Sequence, residues 1–176
     1  LFLTSATTLA AVLAVSPGDG RLGFTLESSL HAVEGQALAF SGQLDTSALT
    51  GQLVIDAPGL TTGLGPRDAR MSWVCLEAQR FPAISLVVSD IDGSVKGLRS
   101  GAGTGAIQLI GALTIRDVTR DVAVAATYAW EGETLHIQGR HDLRWADWNI
   151  PDPSTLLSIV SPDVVVTFDV VARPPS

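Results

Sequence analysis

The side chains able to do chemistry are few: three histidines, one cysteine and some neighbouring carboxylates. These are the groups that could hold a metal, attack a carbonyl or move a proton. His136 and His141 are five positions apart, so on one regular strand they face opposite sides and share a metal only across a bulge. His31 is remote in sequence, and no metal site is expected. Gly93-Ser-Val-Lys-Gly97 has its serine at the wrong offset for a nucleophile elbow. Cys75 has no neighbouring histidine, so a Cys/His pair would have to be assembled by the fold. Glu131 and Glu133 flank a turn glycine and read as solvated hairpin charge. Gly101-x-Gly103-x-Gly105 lacks the third glycine and the following helix of a dinucleotide fingerprint. No enzyme chemistry is read from these residues, and no cofactor is expected.

The rest of the chain is built to alternate. Eight runs, at 21–26, 36–45, 51–57, 83–91, 105–116, 121–130, 134–143 and 163–172, place apolar residues on one face. The inward sets are Phe24/Leu26, Leu38/Phe40, Leu53/Ile55, Ile84/Leu86/Val88, Ile107/Leu109, Val122/Val124, Leu135/Ile137 and Val164/Val166/Phe168. Half-buried alternation over so many segments predicts an all-β protein, an up-and-down antiparallel barrel or a sandwich, in one domain spanning 1–176. Residues 1–15 read either as the remnant of a signal-peptide apolar region or as a first strand over 8–15. The strand is preferred, because Ser16-Pro-Gly-Asp-Gly20 makes a natural turn into the next run. The glycine-rich stretch 92–105 reads as a hairpin loop, with a mobile flap at a barrel mouth as the alternative.

One stretch breaks the alternation. Met71, Val74, Cys75 and Ala78 fall at i, i+3, i+4 and i+7, the stripe of a short amphipathic helix. Pro66 can open that helix and Asp68 suits its first turn. Asp68 is expected to cap the helix and Arg67 to pair with a strand carboxylate, or else the two meet a ligand headgroup. Trp73 lies off the stripe. A single helix among strands, apolar face inward, reads as a plug or lid on a barrel. Phe81-Pro82 ends it.

Composition narrows the partners. A net charge of −7 argues against nucleic acid and against an anionic membrane as an electrostatic partner. Charged residues are only 16% against 46% apolar, which suits inward-facing apolar walls. No run approaches the roughly 20 apolar residues of a membrane-spanning helix, so an integral membrane protein is not expected. With aromatics at 6%, the interior is mostly aliphatic, which leaves room for a ligand.

Four segments carry a resemblance, in order along the chain. They are His31-x-Val33-Glu34-Gly35; Arg67-Asp68-x-Arg70-Met71 with Leu76-Glu77-Ala78-x-Arg80-Phe81-Pro82; Gly111-x-Leu113-Thr114-Ile115-Arg116-x-Val118-Thr119; and Trp148-x-x-x-Asp152-Pro153-Ser154. Together they resemble the YceI-like family. Asp117 stands where that family has a hairpin glycine, and Asn149 where it has a glycine after the tryptophan; both residue types tolerate positive φ. The resemblance implies a lipocalin-like barrel with one short α-helix and an elongated apolar tunnel. It implies a bound isoprenoid quinone or polyprenyl lipid, held for sequestration or transport in a periplasmic or other extracytoplasmic compartment. A homodimer is left open. Expected ligand contacts are Phe24, Leu26, Leu38, Phe40, Leu53, Ile55, Met71, Cys75, Phe81, Ile84, Leu86, Ile107, Leu109, Trp130, Ile137, Trp145, Trp148, Val166 and Phe168. Of the tryptophans, Trp145 and Trp148 precede a double-proline segment that cannot continue a ladder, so they are expected near one end of the cavity. The rival readings are an enzyme acting on a lipid in the barrel and a stress-associated module with a filled core.

Overall fold

The computed structural model describes residues 12–176. Ten strands form one antiparallel sheet that closes on itself: β1 (Val12–Ser28), β2 (Val33–Ala37), β3 (Phe40–Asp45), β4 (Thr50–Asp56), β5 (Leu60–Thr61), β6 (Ala83–Gly93), β7 (Thr104–Ile115), β8 (Val118–Glu131), β9 (Thr134–Arg144) and β10 (Val160–Arg173). Closure comes from β1 pairing with β10, Leu22 opposite Phe168 and Phe24 opposite Val166. β2 and β3 act as one broken barrel strand, as do β4 and β5: the lower part of β1 pairs with β3 and its upper part with β2, which in turn pairs with β5. The result is an eight-position up-and-down barrel, one of the two architectures the alternation predicts and the one the resemblance implies.

The described part of the predicted first strand, from Val12 onward, is strand and closes the barrel; residues 8–11 lie outside the described residues. The predicted turn at Ser16–Gly20 is instead a bulge within β1. Val15 pairs with Ala172 and Gly20 with Val170, so four residues of β1 are accommodated against one of β10. Pro17 has no N–H to offer a ladder, and a bulge is where a strand tolerates that. A second bulge, at Ser89 in β6, shifts the parity so that Ile91 faces inward after Ile84, Leu86 and Val88.

The run 36–45 breaks at Leu38-Ala39. There the Leu38 amide donates to the Gly59 carbonyl, and the Asp56 amide donates to that of Ala39. Inward positions are odd before the break and even after it, which buries Ala37 and Phe40 and leaves Leu38 60% exposed.

The two ends of the barrel differ. At the lower end, the glycine-rich stretch is neither an open hairpin loop nor a flap. It folds as a short helix, α2 (Val95–Ser100), terminated by Gly101 at φ 74°. Leu98 of α2 is fully buried with Leu13 and Leu135, and the Tyr128 hydroxyl donates to the Ser94 carbonyl at 2.7 Å. This end is plugged. The upper end carries α1 (Gly65–Arg70), a π-helical turn over Met71–Cys75 and a 3-10 turn over Trp145–Trp148. A second apolar cluster forms there, around Leu76, Ala78, Ile84, Ile115 and Trp148.

Candidate functional site

An apolar cavity of about 370 Å³ occupies the barrel between the lower plug and the upper cluster. Along β10 its wall includes Val164, Val166, Phe168 and Val170. At a strand rise of ~3.3 Å per residue those four span roughly 20 Å, so the space is elongated. Its volume lies in the range of about 300–1,000 Å³ usual for ligand pockets. A filled core is thereby excluded.

The lining follows strand parity. Phe24, Leu26, Leu53, Ile55, Ile84, Leu86, Leu109, Ile137, Val166 and Phe168 all face the cavity, and Met71, Cys75 and Trp145 reach it from the upper end. Six of the expected residues do not. Leu38 points outward at the strand break. Phe40 is buried in the main core without reaching the lumen. Ile107 belongs to the same core below the cavity. Trp130 packs against that core at the lower end of β8, its indole N–H buried with no partner among the described residues. Phe81 lies outside, with the Arg80 guanidinium 4.9 Å above its ring. Trp148 is buried in the upper cluster, donating to the Leu113 carbonyl at 3.1 Å. Trp145 and Trp148 thus part company: the first lines the cavity and donates to the Ser161 carbonyl at 2.8 Å, the second seals the wall beside it.

The two phenylalanines of the lumen are held flat by glycines on the adjoining strands. A Cβ at Gly35 would lie 2.1 Å from Phe24 Cζ, and one at Gly139 2.4 Å from Phe168 Cζ. Each ring covers the bare backbone of the residue paired with it, Phe24 with Gly35 and Phe168 with Gly139. Aromatic side chains therefore coat the wall instead of filling the lumen.

The helical lid departs from the predicted stripe. The π turn carries more residues per turn than an α-helix, so spacing past Met71 slips in phase. Cys75 and Ala78 remain buried, but Val74 turns outward at 47% exposure beside the exposed Trp73. Asp68 does not cap α1. It accepts hydrogen bonds from the Thr61 hydroxyl at 2.6 Å, the Thr62 amide at 2.7 Å and the Thr62 hydroxyl, tying the lid to the segment before it. Burial raises its carboxyl, but those bonds and the Arg67 charge outweigh it and hold the group below its ordinary 3.8. Among the described residues Arg67 meets no strand carboxylate. It donates to the Thr62 hydroxyl and carbonyl and approaches His31 Nε2 at 3.4 Å.

Beside this lid sits a polar knot. Arg116 donates to the Asn149 carbonyl and to Glu77. All three residues have positive φ, at 56°, 54° and 45°. In the β7–β8 hairpin the left-handed non-glycine residue is therefore Arg116 and not Asp117, while Asn149 does adopt the conformation its type tolerates.

The polar lining is sparse: Thr62, Arg67 and Arg70 at the upper end, with Gln43, Gln52 and His141. His141 faces inward because β9 keeps its parity from Ile137, while His136 faces out and pairs with Glu131 at 3.3 Å. Burial lowers the His141 pKa from 6.5, against the pull of Asp142, and so disfavours the charged imidazole. Burial likewise raises the Cys75 thiol, the opposite of what an activated nucleophile needs. No carboxylate lines the cavity among the described residues. Among the described residues no three His, Cys, Asp or Glu side chains are grouped to hold a metal, and no helix is long and apolar enough to cross a membrane. Following β9 parity past Ile137 would have found His141 and Leu143; the loop contacts Ile150 and Pro153 carry no periodic signal.

Fold and cavity together define a closed antiparallel β-barrel with an elongated apolar lumen. Within that class the assignment is specific. The YceI-like domain model matches residues 13–172, and the chain belongs to that family. It is similar to BcnA of Burkholderia cenocepacia, with a TM-score of 0.77, 20% identity and coverage of 90% of this chain and 99% of that one. It is also similar to a polyisoprenoid-binding domain from Saccharophagus degradans implicated in plant cell wall breakdown, at TM-score 0.80, 18% identity and coverage of 94% and 99%. A Campylobacter jejuni YceI protein matches at TM-score 0.66 and 14% identity, over 82% of this chain and 86% of that one. At such identities the likeness is one of fold. No curated protein sequence matches the chain.

Proposed function

We propose that this protein binds a long apolar isoprenoid lipid, an isoprenoid quinone or a polyprenyl compound, inside the barrel, and that it sequesters or carries that lipid through an extracytoplasmic aqueous compartment. The observation that carries this reading is the elongated, almost wholly apolar lumen with its two arginines, Arg67 and Arg70, at the upper end. Each CH₂ moved from water into such a lumen contributes about 0.8 kcal/mol, so a tail is retained without a charged anchor. The polyisoprenoid-binding domain of the same fold supports the choice of ligand class. Binding is favoured over catalysis because His141 has no carboxylate beside it in the lumen and the Cys75 thiol is raised.

Mass spectrometry of an organic extract of the purified protein tests this. An isoprenoid recovered in stoichiometric amount is the expected result. A fatty acid or phospholipid in its place, or an empty protein that fails to take up added polyprenol, overturns it.

A further inference from the structure

Three segments meet at the upper end, where the cavity reaches residues 153–160. The Ser29 amide donates to the Ile159 carbonyl at 2.8 Å and the Ile159 amide to Ser29 Oγ at 3.0 Å, joining the β1–β2 turn to the loop before β10. Arg67 approaches His31, and Arg70 donates to the Ser154 carbonyl at 3.4 Å, so the helical lid adjoins both. Val33, Arg67, Arg70, Pro153 and Val160 line the cavity at this junction.

The same segments hold the most exposed large apolar side chains of the described residues. Leu156 is fully exposed, Leu157 83%, Ile159 72%, Trp73 of the lid 66% and Leu30 64%. Leu156 and Leu157 stand at the tip of a tight turn closed by Thr155 and Ser158, which presents them outward. Contiguous apolar side chains held at a rim mark an interaction surface. Charge agrees. In a chain of net charge −7, segments 28–33, 57–67 and 154–162 carry no carboxylate; the rim's fixed charges are the cations Arg67 and Arg70 and the acids Asp68 and Asp152, the latter accepting the Ser154 amide at 2.8 Å. The one nearby acid of the lid, Asp68, is turned onto Thr61 and Thr62.

We infer that this rim docks onto a phospholipid bilayer, with Leu30, Leu156, Leu157 and Ile159 entering the interface and Arg67 and Arg70 meeting lipid phosphates. This rests on the reading of the cavity as an isoprenoid site, and it supplies the route. The apolar rim is continuous with the apolar lumen, so a tail passes from bilayer to barrel without crossing water. Four aliphatic side chains give reversible attachment, which suits a carrier that must leave again.

Flotation with vesicles of phosphatidylcholine and a minor fraction of phosphatidylglycerol tests the surface. The full chain is expected to float. A Leu156→Ser/Leu157→Ser variant, altered only in a surface turn, should lose about tenfold or more of its vesicle binding. Val87→Ser, which removes a similarly apolar side chain from the flank of β6, should bind as the unaltered chain does. Equal binding by the rim variant, no binding by the unaltered chain, or a dimer in solution that the rim variant dissociates each overturns the docking. Uptake of a soluble short-chain prenyl alcohol, read from tryptophan fluorescence, separates the two readings. Prenol uptake without flotation removes the docking and leaves the cavity reading standing. Flotation without prenol uptake supports the docking and removes only the isoprenoid assignment.

Discussion

Gly35 and Gly139 decide how much of the lumen stays open. A phenylalanine facing into a small barrel normally fills it. Here each ring lies over a glycine of the neighbouring strand, within 2.1–2.4 Å of where a Cβ would stand. Gly35→Ala therefore pushes the Phe24 ring off the wall toward the lumen, and Gly139→Ala does the same to Phe168 while also meeting the Ala125 carbonyl oxygen at 2.4 Å, so strand backbone must shift as well. Overpacking of this kind costs about 1–3 kcal/mol of stability. The sharper expectation is functional: the barrel's circular dichroism persists while its isoprenoid capacity falls, measured as lipid extracted per mole of protein. Undiminished capacity in both variants would show that the rings do not set the lumen's width. The glycines are visible in the sequence, but their task is not. Alternation identifies Phe24 and Phe168 as inward residues; only the pairing of Phe24 with Gly35 and of Phe168 with Gly139 reveals why they do not block the cavity.

The upper elements are held by a few polar contacts rather than by a deep core. The Arg116 side chain links the β7–β8 hairpin to the segment after the π turn and to the end of the Trp145–Trp148 turn. Arg116→Ala removes charge-assisted hydrogen bonds worth about 1.5–3 kcal/mol and leaves three left-handed residues without their tether. Urea unfolding should show that loss, with the lower end of the barrel unaffected in hydrogen exchange; an unchanged midpoint would make the knot incidental. Met71→Asp probes the lid itself. It places a carboxylate in an apolar lining at an already half-buried position. Ligand should be lost while the β signal in circular dichroism remains, and retained ligand would mean that the lid does not touch it. The lid also shows the limit of periodicity. The i, i+3, i+4 spacing located the helix and put Cys75 and Ala78 inside, but a π turn changes the count per turn and rotates Val74 into solvent. Five glycines in one stretch likewise suggested mobility, whereas one buried leucine, Leu98, makes that stretch the barrel's floor. Strand alternation is a repeated signal and was legible; a single buried anchor in a short helix is not repeated anywhere.

Over the whole molecule, acid should loosen the fold in two stages, because His141, Asp68 and Asp152 are all held below their ordinary values. His141 is pushed below 6.5 by burial in the barrel, so below that pH the unfolded chain takes up a proton that the folded chain refuses. Stability then falls as pH drops from about 6.5 toward the lowered value of the folded state. Asp68 gives the second stage. Its folded carboxyl sits below 3.8, so its contribution is complete above that value and is lost as pH falls through the folded pKa. Asp152 follows the same sign, held down by the Ser154 hydroxyl and amide. Their places in the molecule differ. His141 belongs to the lumen wall, whereas Asp68 and Asp152 fasten segments at the rim. Urea midpoints measured from about pH 8 to about pH 3 should therefore decline once near neutrality and again in acid. His141→Gln should remove the first decline and leave the second; Asp68→Asn should blunt the second and leave the first. A first decline that survives His141→Gln would mean that another group titrates there and that burial of the His141 imidazole does not set it.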